Sequence, residues 1–255
     1  MSGAAHGVLA VVIARAGSKG LPGKNALLVA NRPMISHTVE HALNASSVSR
    51  VVVSTDGNAI AEAARAMQVP VIMRPAELAD DHATVDAAVR HAVLKVENGD
   101  AAARCKVVVI LYGNVPVRPP GLIDRAVTTL IESRADSVQS YGDVGKHHPF
   151  WMITLDEHQR VQPHHANAVY RRQDLPRLFL PDGGVIAVTR DSLFCDDAVS
   201  ARHPHAFLGR DRRGIEVPPG QVVDVDTAVD LAVAEAVLQA GQLEDQSIMG
   251  DRRTG

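Results

Sequence analysis

The sequence has few aromatic residues and no excess of positive charge. Its 255 residues include one Trp, three Tyr and four Phe, whereas proteins that bind single-stranded nucleic acid usually stack the bases on aromatic side chains. The formal net charge is −3, and proteins that bind nucleic-acid phosphates or anionic membranes are usually basic. We therefore predict neither a nucleic-acid partner nor a membrane partner.

The sequence also lacks cysteine pairs and long apolar segments. Cys105 and Cys195 lie far apart without CxxC spacing, which predicts a reducing compartment, the cytoplasm, rather than a disulfide framework. No segment approaches the roughly 18 consecutive apolar residues that a membrane-spanning helix needs. The apolar run near the N-terminus follows no basic segment and precedes no cleavage site, so we interpret it as a strand and not as a signal peptide.

The apolar residues that are present occur in short runs separated by amphipathic segments. Residues 8–14, 51–53 and 107–111 are runs of mainly Val, Ile and Leu, each followed by a segment with helical spacing. Thr84 stands where it can cap one of these helices. The alternation predicts a doubly wound, mostly parallel α/β sheet whose ligand lies outside the carboxyl ends of the strands.

The alternation breaks between residues 141 and 180, a segment with several prolines and arginines. We interpret this segment as an inserted arm in which residues 150–153 form a short strand. The sheet pattern then returns, and the last helix is expected to end at Gly241. We therefore expect one domain over residues 1–241, with strands at 185–189 and 222–225, followed by a loose polar tail at 242–255.

A glycine-rich basic loop, RAGSKGLPGKN, follows the first strand at residues 15–25. Its glycines let backbone N–H groups approach a ligand closely, and Arg15, Lys19 and Lys24 add three positive charges. The loop matches neither the GK[ST] ending of a Walker A motif nor the GxGxxG dinucleotide motif. This combination of bare backbone donors and clustered cations predicts an oligophosphate ligand.

Two aspartates recur near the end of the sequence, in the run VVDVD at residues 222–226. In an extended segment Asp224 and Asp226 share one face, about 7 Å apart, while the valines face the other way. Two neighbouring carboxylates repel each other unless a cation lies close to them. Beside a triphosphate they predict a Mg²⁺ site, and Asp226 could also cap the last helix.

Five segments of the sequence, including the basic loop, resemble those of a known family. The loop RAGSKGLPGKN resembles the signature loop of the CMP-sialic acid synthetases, the acylneuraminate cytidylyltransferases. Four further segments resemble that family in the same order, namely VVVSTDGNAIAEAA, RPAELADDHAT, HHPFW and VDVDTAVDLAVAEAVL. The resemblance implies a Rossmann-like nucleotidyltransferase fold with an inserted dimerisation arm. It also implies a homodimer that uses CTP and Mg²⁺ to transfer CMP to the anomeric hydroxyl of a small acidic sugar, a sialic-acid-like nonulosonic acid, with release of pyrophosphate.

The resemblance also assigns roles to residues. The phosphates of CTP would lie against Arg15, Gly17, Ser18, Lys19 and Lys24, whereas the cytosine and ribose would lie against Asn25, Arg74 and Thr84. The metal ligands would be Asp224 and Asp226, and the catalytic residues Arg15, Lys19 and Asp226.

The sugar side departs from the family pattern. Tyr112 replaces a glutamine expected to contact the sugar, Asn114 lies in the same altered stretch, and Asp182 replaces an asparagine. Arg172 keeps a family-like position and could pair with the sugar carboxylate, which Asp182 would repel if it pointed towards it. These four residues are our candidates for binding the acceptor. The departures leave open another ulosonic acid, a sugar phosphate as acceptor, or a catalytically silent nucleotide-binding protein.

Overall fold

The computed structural model describes residues 7–17, 20–80, 82–195 and 205–251, with side chains up to residue 241. Ser18 and Lys19, two of the predicted phosphate-binding residues, lie outside the described residues. A seven-stranded sheet forms the centre of the molecule. In chain order the strands are β1 (Val8–Ile13), β2 (Leu28–Val29), β3 (Arg32–Pro33), β4 (Arg50–Thr55), β5 (Val71–Met73), β6 (Val107–Tyr112), β7 (Ser137–Asp143), β8 (Ile153–Leu155), β9 (Val161–Pro163), β10 (Phe179–Thr189) and β11 (Arg212–Val217).

The sheet is mostly parallel, as the alternation of apolar runs and helical segments predicts. Its strand order is β11-β7-β10-β6-β1-β4-β5, and only β10 runs antiparallel to its neighbours. Successive residues of β1 alternate between the two faces of the sheet, because Ala10 and Val12 join one apolar cluster and Leu9 and Val11 join the other. Both faces are therefore covered, as in a doubly wound fold.

The helices are α1 (Met34–Leu43), α2 (Asn58–Ala66), α3 (Val85–Glu97), α4 (Leu122–Ser133), α5 (Arg190–Leu193) and α6 (Ala228–Asp251). Thr84 caps α3 as predicted, since its hydroxyl accepts a hydrogen bond from the Ala87 N–H. Among the described residues, no helix combines the length and the apolarity needed to cross a bilayer.

The predicted strand at residues 222–225 is wrong. Only Val223 makes a strand-like pair, with Val117, and the neighbouring backbone follows the loop after β6 rather than a sheet strand. Pro119 and Pro120 follow that loop, and prolines have no N–H with which to extend the pairing. The alternation itself is retained, because Val223 and Val225 are buried while Asp224 and Asp226 face outwards.

Two further boundaries are corrected. Helix α6 continues past Gly241 to Asp251, so most of the tail predicted to be loose is helical. A single glycine costs about 1 kcal/mol in a helix and does not end it when good helix formers follow. In the arm, a 3₁₀ turn at Pro149–Trp151 replaces the predicted strand, and β8 begins at Ile153. Proline is favoured at the first position of a helix, because the backbone N–H that proline lacks would have no partner within the helix there.

Candidate active site

The carboxyl ends of β1, β5 and β6 open onto a cavity of about 290 Å³. This nucleotide cavity, as we call it, lies where a parallel sheet is expected to bind its ligand. Its lining includes most of the described residues that were predicted to bind the nucleotide or the sugar, namely Arg15, Lys24, Asn25, Arg74, Thr84, Tyr112 and Asn114.

The basic loop and the acidic pair meet at the rim of this cavity. The Lys24 Nζ donates to Asp226 Oδ1 at 2.5 Å and to the Val225 carbonyl at 3.0 Å. Gly20 allows this approach, because a Cβ at this position would lie 2.7 Å from the Asp226 carbonyl oxygen. The loop that was predicted to hold phosphates therefore packs directly against the predicted metal ligands.

Asp224 is held by the loop after β6, through Asn114. The Asn114 amide donates to Asp224 Oδ1 at 2.5 Å and to the Val225 carbonyl at 3.2 Å. Desolvation raises the pKa of Asp224 to about 6, and the Asp226 carboxylate adds to the rise, whereas the charge of Lys24 opposes it. Asp224 therefore lies largely desolvated beside a second carboxylate, Asp226, which is already paired with Lys24.

The donor set fits Mg²⁺ only if the nucleotide contributes ligands. In the described part of the chain, no group of three or more His, Cys, Asp or Glu side chains is arranged to hold a metal ion. Mg²⁺ is commonly bound by one or two carboxylates together with substrate phosphates and water. Asp224 and Asp226 are separated by one residue and lie on the same side of the segment, so they provide the two carboxylates.

Asn25 and Arg74 line the inner part of the nucleotide cavity. Asn25 is buried, and its amide Nδ2 donates to the Arg15 carbonyl at 3.0 Å, while its Oδ1 has no hydrogen-bond partner within the described residues. Arg74 donates to the hydroxyl and the carbonyl of Ser54 at 2.9 and 2.8 Å. Burial lowers the pKa of Arg74 to about 10, so its guanidinium stays charged at neutral pH. This part of the cavity therefore has a fixed cation, Arg74, beside an amide, Asn25, whose oxygen is buried without a partner.

Two predicted sugar-binding residues do not join the nucleotide cavity. Arg172 lines a separate cleft of about 510 Å³ that is formed mainly by the arm itself, and this cleft shares no lining residue with the nucleotide cavity. The Asp182 carboxylate is turned inwards, where its Oδ1 accepts hydrogen bonds from the Ser140 hydroxyl and the Gly184 N–H and its Oδ2 is buried. The Asp182 carboxylate therefore supports the bend of β10 and does not line the nucleotide cavity, and its contact with the acceptor stays a prediction.

Sequence reasoning missed Arg118. Its guanidinium is buried beneath the loop after β6 and donates to the carbonyls of Tyr112 and Gly184 at 3.0 and 2.6 Å. Burial lowers the pKa of Arg118 to about 9, while the carboxylates of Asp224 and Asp182 favour its charged form. The signal was an arginine in an otherwise apolar and proline-rich stretch, VPVRPP, directly after a buried strand.

Comparison with known proteins places these features in context. A family model described as "Cytidylyltransferase" matches residues 9–185. An N-acylneuraminate cytidylyltransferase of Streptococcus agalactiae is 28% identical over 201 residues, which cover 78% of this chain and 47% of the relative. The chain thus spans about half the length of that relative.

Other similar proteins match over nearly their whole length. A CMP-N,N'-diacetyllegionaminic acid synthase of Legionella pneumophila is 29% identical over 92% of this chain and 97% of its own. A pseudaminic acid cytidylyltransferase of Campylobacter jejuni is 26% identical over 89% and 94%. A CMP:2-keto-3-deoxy-manno-octonic acid synthetase, solved with CTP, superposes with a TM-score of 0.69 at 20% identity and covers 92% of this chain and 99% of its own, which establishes likeness of fold.

Proposed function

The chain belongs to the cytidylyltransferase family, as its resemblance to the CMP-sialic acid synthetases predicted, and we propose that it transfers CMP from CTP to a sialic-acid-like nonulosonic acid. The observation that carries this proposal is the contact between the basic loop and the acidic pair at Lys24 and Asp226. A triphosphate beside this contact would meet both fixed cations and the carboxylates that a phosphate-bound metal needs.

The nucleotide would bind with its base towards Asn25 and Arg74. Asn25 Oδ1 is buried without a hydrogen-bond partner in the described residues, and we propose that this side chain turns to accept from the 4-amino group of cytosine, a donor that uracil lacks. Arg74, fixed by Ser54, can donate to the O2 and N3 acceptors of the base. Thr84 lies on the same wall of the cavity, where we expect the ribose.

In the proposed reaction the anomeric hydroxyl of the sugar attacks the α-phosphorus of CTP. A phosphorus–oxygen bond to the sugar forms, the bond to the bridging oxygen of pyrophosphate breaks, and the hydroxyl proton leaves to a base. Asp226 is our candidate for that base, because its carboxylate is exposed at the rim and oriented by Lys24. Arg15, Lys19 and Lys24 would stabilise the charge that develops on the phosphates.

Asp224 and Asp226 would hold the Mg²⁺ ion together with the phosphates of the nucleotide. When bound, this ion offsets negative charge on the α-phosphate and on the departing pyrophosphate. The chain itself supplies position, through the hydrogen bonds from Asn114 to Asp224 and from Lys24 to Asp226. No covalent intermediate with the protein is needed.

We further propose that the protein acts as a homodimer through its arm. The β8–β9 hairpin leaves Ile153, Leu155 and Val161 between 50% and 62% exposed, and exposed apolar patches often mark protein–protein interfaces. The Arg172 cleft lies at the base of the same arm, so a partner's arm could bring Arg172 to the sugar carboxylate. The free thiols of Cys105 and Cys195 support a reducing compartment, and we place the reaction in the cytoplasm.

Pyrophosphate release across four nucleotides and a panel of acceptors tests this function. The panel includes nonulosonic acids, an eight-carbon ulosonic acid and sugar phosphates, with the Asp226→Asn variant as the inactive control. We expect turnover only with CTP and fastest with a nonulosonic acid. Turnover with a sugar phosphate, or tight CTP binding without turnover on any acceptor, would contradict the proposal.

A further inference from the structure

Arg118 carries a buried positive charge that the proposed chemistry does not use. The residue is 5% exposed, and within the described part of the chain its hydrogen bonds go to carbonyl groups and to the hydroxyl of Thr38, not to a carboxylate. Burying a cation without a hydrogen-bonded counter-ion is costly. A neutral side chain could fill the same space without this cost. The presence of an arginine, with its charge and its several N–H donors, therefore needs an explanation.

The guanidinium joins three segments that are remote in sequence. It donates to the Thr38 hydroxyl on α1 at 2.9 Å and to the Gly184 carbonyl on β10 at 2.6 Å. It also donates to the carbonyls of Tyr112, at the end of β6, and Val115, in the loop that follows. Thr38 itself donates to the Val115 carbonyl at 2.9 Å. Lysine could not replace these contacts, because the planar fork of arginine donates in several directions at once.

Two of these segments enclose Asp224. The loop after β6 carries Asn114, whose amide donates to Asp224 Oδ1 at 2.5 Å and whose carbonyl accepts from the Val225 N–H at 2.9 Å. On β10, Gly183 has a φ of +76°, and a Cβ there would lie 3.3 Å from Asp224 Oδ2. Arg118 therefore fixes the walls on both sides of this carboxylate.

We propose that Arg118 is a positioning residue that holds the Asp224 carboxylate in place for the metal ion through the loop after β6 and the bend of β10. Arg118 does not itself hydrogen-bond to Asp224, whose Oδ1 accepts from the Asn114 amide. The proposal rests on the proposed function in one respect, namely that Asp224 binds a divalent cation together with CTP. Arg118 should then control metal affinity much more than nucleotide affinity.

The test compares Arg118→Met, Arg118→Lys and the control Arg65→Met, which changes an exposed arginine on α2 that lines none of the cavities described. Mn²⁺ affinity in the presence of CTP is measured by electron paramagnetic resonance, and CTP affinity without metal by calorimetry. Removal of residues that orient metal ligands typically weakens metal affinity about 10–100-fold. We expect that loss for Arg118→Met with metal-free CTP binding unchanged, a smaller loss for Arg118→Lys, and none for Arg65→Met.

Wild-type Mn²⁺ affinity in a folded Arg118→Met protein would overturn the proposal, as would an equal loss of metal-free CTP binding. If Arg118→Met does not fold, Arg118→Lys keeps the charge but replaces the planar fork with a single ammonium group. Wild-type Mn²⁺ affinity in that variant would refute the role. The binding readout does not need turnover, so a wild-type protein that binds Mn²⁺ and CTP without transferring CMP refutes the proposed function alone. Absence of Mn²⁺ binding to the wild-type complex would refute both.

Discussion

The ammonium group of Lys24 lies 2.5 Å from the carboxylate of Asp226, although the two residues are 202 positions apart in the sequence. This contact joins the loop after the first strand to the segment before the last helix. The loop after β1 and the acidic pair thereby meet at the edge of the sheet where the nucleotide cavity lies. The proposed function depends on this contact between the loop that we propose binds phosphates and the carboxylates that we propose bind the metal ion.

Lys24 and Asp226 should act as a unit in catalysis. We expect Lys24→Met and Asp226→Asn each to lower kcat/KM for CTP about 100-fold or more, because each removes preorganised charge at the phosphates. The double variant should lose little beyond either single one. Steady-state pyrophosphate release measures this, with Arg65→Met as control, and fully multiplicative losses in the double variant would contradict it.

Asn25 should contribute to binding of the base and not of the phosphates. Asn25→Ala removes the buried amide oxygen that we propose accepts from the base, so we expect CTP affinity to fall about tenfold, the effect of one lost hydrogen bond in a dry site. Affinity for inorganic tripolyphosphate should not change. Calorimetric titration with both ligands checks this, and equal losses for the two ligands would show that Asn25 merely supports the basic loop.

The charge on Asp224 should destabilise the fold at neutral pH. Its pKa is raised from 3.8 to about 6, so the folded protein holds this proton more tightly than the unfolded chain does. Stability is therefore lost as the pH rises between these two values, and the cost persists at higher pH. Asp224→Asn should raise the Tm at pH 7.5 by about 1–3 °C, a small effect for a carboxylate near solvent.

Thermal unfolding of Asp224→Asn without nucleotide or metal measures this effect at pH 7.5 and at pH 4. The gain should vanish at the lower pH, where the wild-type carboxyl is protonated. A lower Tm for the variant at pH 7.5, or a difference that does not change with pH, would contradict the electrostatic assignment.

The ion pair between Glu97 and Arg190 lies away from the nucleotide cavity, and we expect it to affect the stability of the fold but not CTP binding. Glu97 Oε1 and Oε2 each accept a hydrogen bond from Arg190 at 2.8 Å, and these bonds hold the pKa of Glu97 below its ordinary value. Glu97→Gln should cost about 3 kcal/mol in urea unfolding at pH 7, since it leaves Arg190 buried without its counter-charge.

The effect of Glu97→Gln should shrink as the pH falls through the depressed pKa of Glu97, because the stability that a carboxylate of lowered pKa contributes is lost on protonation. Glu62→Gln, at an exposed position on α2, is the matched control and should change little. A loss of CTP affinity in the folded Glu97→Gln protein would be unexpected and would argue that the pair reaches the site.

The exposed face of the β8–β9 hairpin should mediate dimer formation. We expect a dimer by light scattering coupled to size exclusion, and a monomer after the paired change of Leu155 and Val161 to Lys. The variant should still bind CTP but lose turnover with the sugar. A monomeric wild-type protein with full activity would contradict both the dimer and the role of Arg172 across it.

Features that depend on local sequence were predictable. Val8–Ile13 and Val107–Tyr112 are buried strands because continuous apolar runs suit a sheet covered on both faces, and Thr84 caps α3 through a bond within one turn. The convergence of the basic loop and the acidic pair was implied by the resemblance to the family, and the contact between Lys24 and Asp226 agrees with it.

Features that depend on distant partners were not predictable. The segment at 222–225 alternates like a strand, yet its neighbour is the loop after β6, and nothing in the run itself reveals that neighbour. Asp182 has the charge of a binding residue, but Ser140, 42 positions away, turns it inwards. Arg118 shows its role only once the carbonyls of Tyr112 and Gly184 come together around it.

The most direct test of the central claim is a crystal structure with CTP and Mn²⁺ in which the anomalous signal locates the metal. We predict one Mn²⁺ peak bound by Asp224, Asp226 and phosphate oxygens of the nucleotide, with Lys24 against the same phosphates. A Mn²⁺ ion bound only by the nucleotide or by other residues, with the triphosphate away from Asp224 and Asp226, would contradict the central claim.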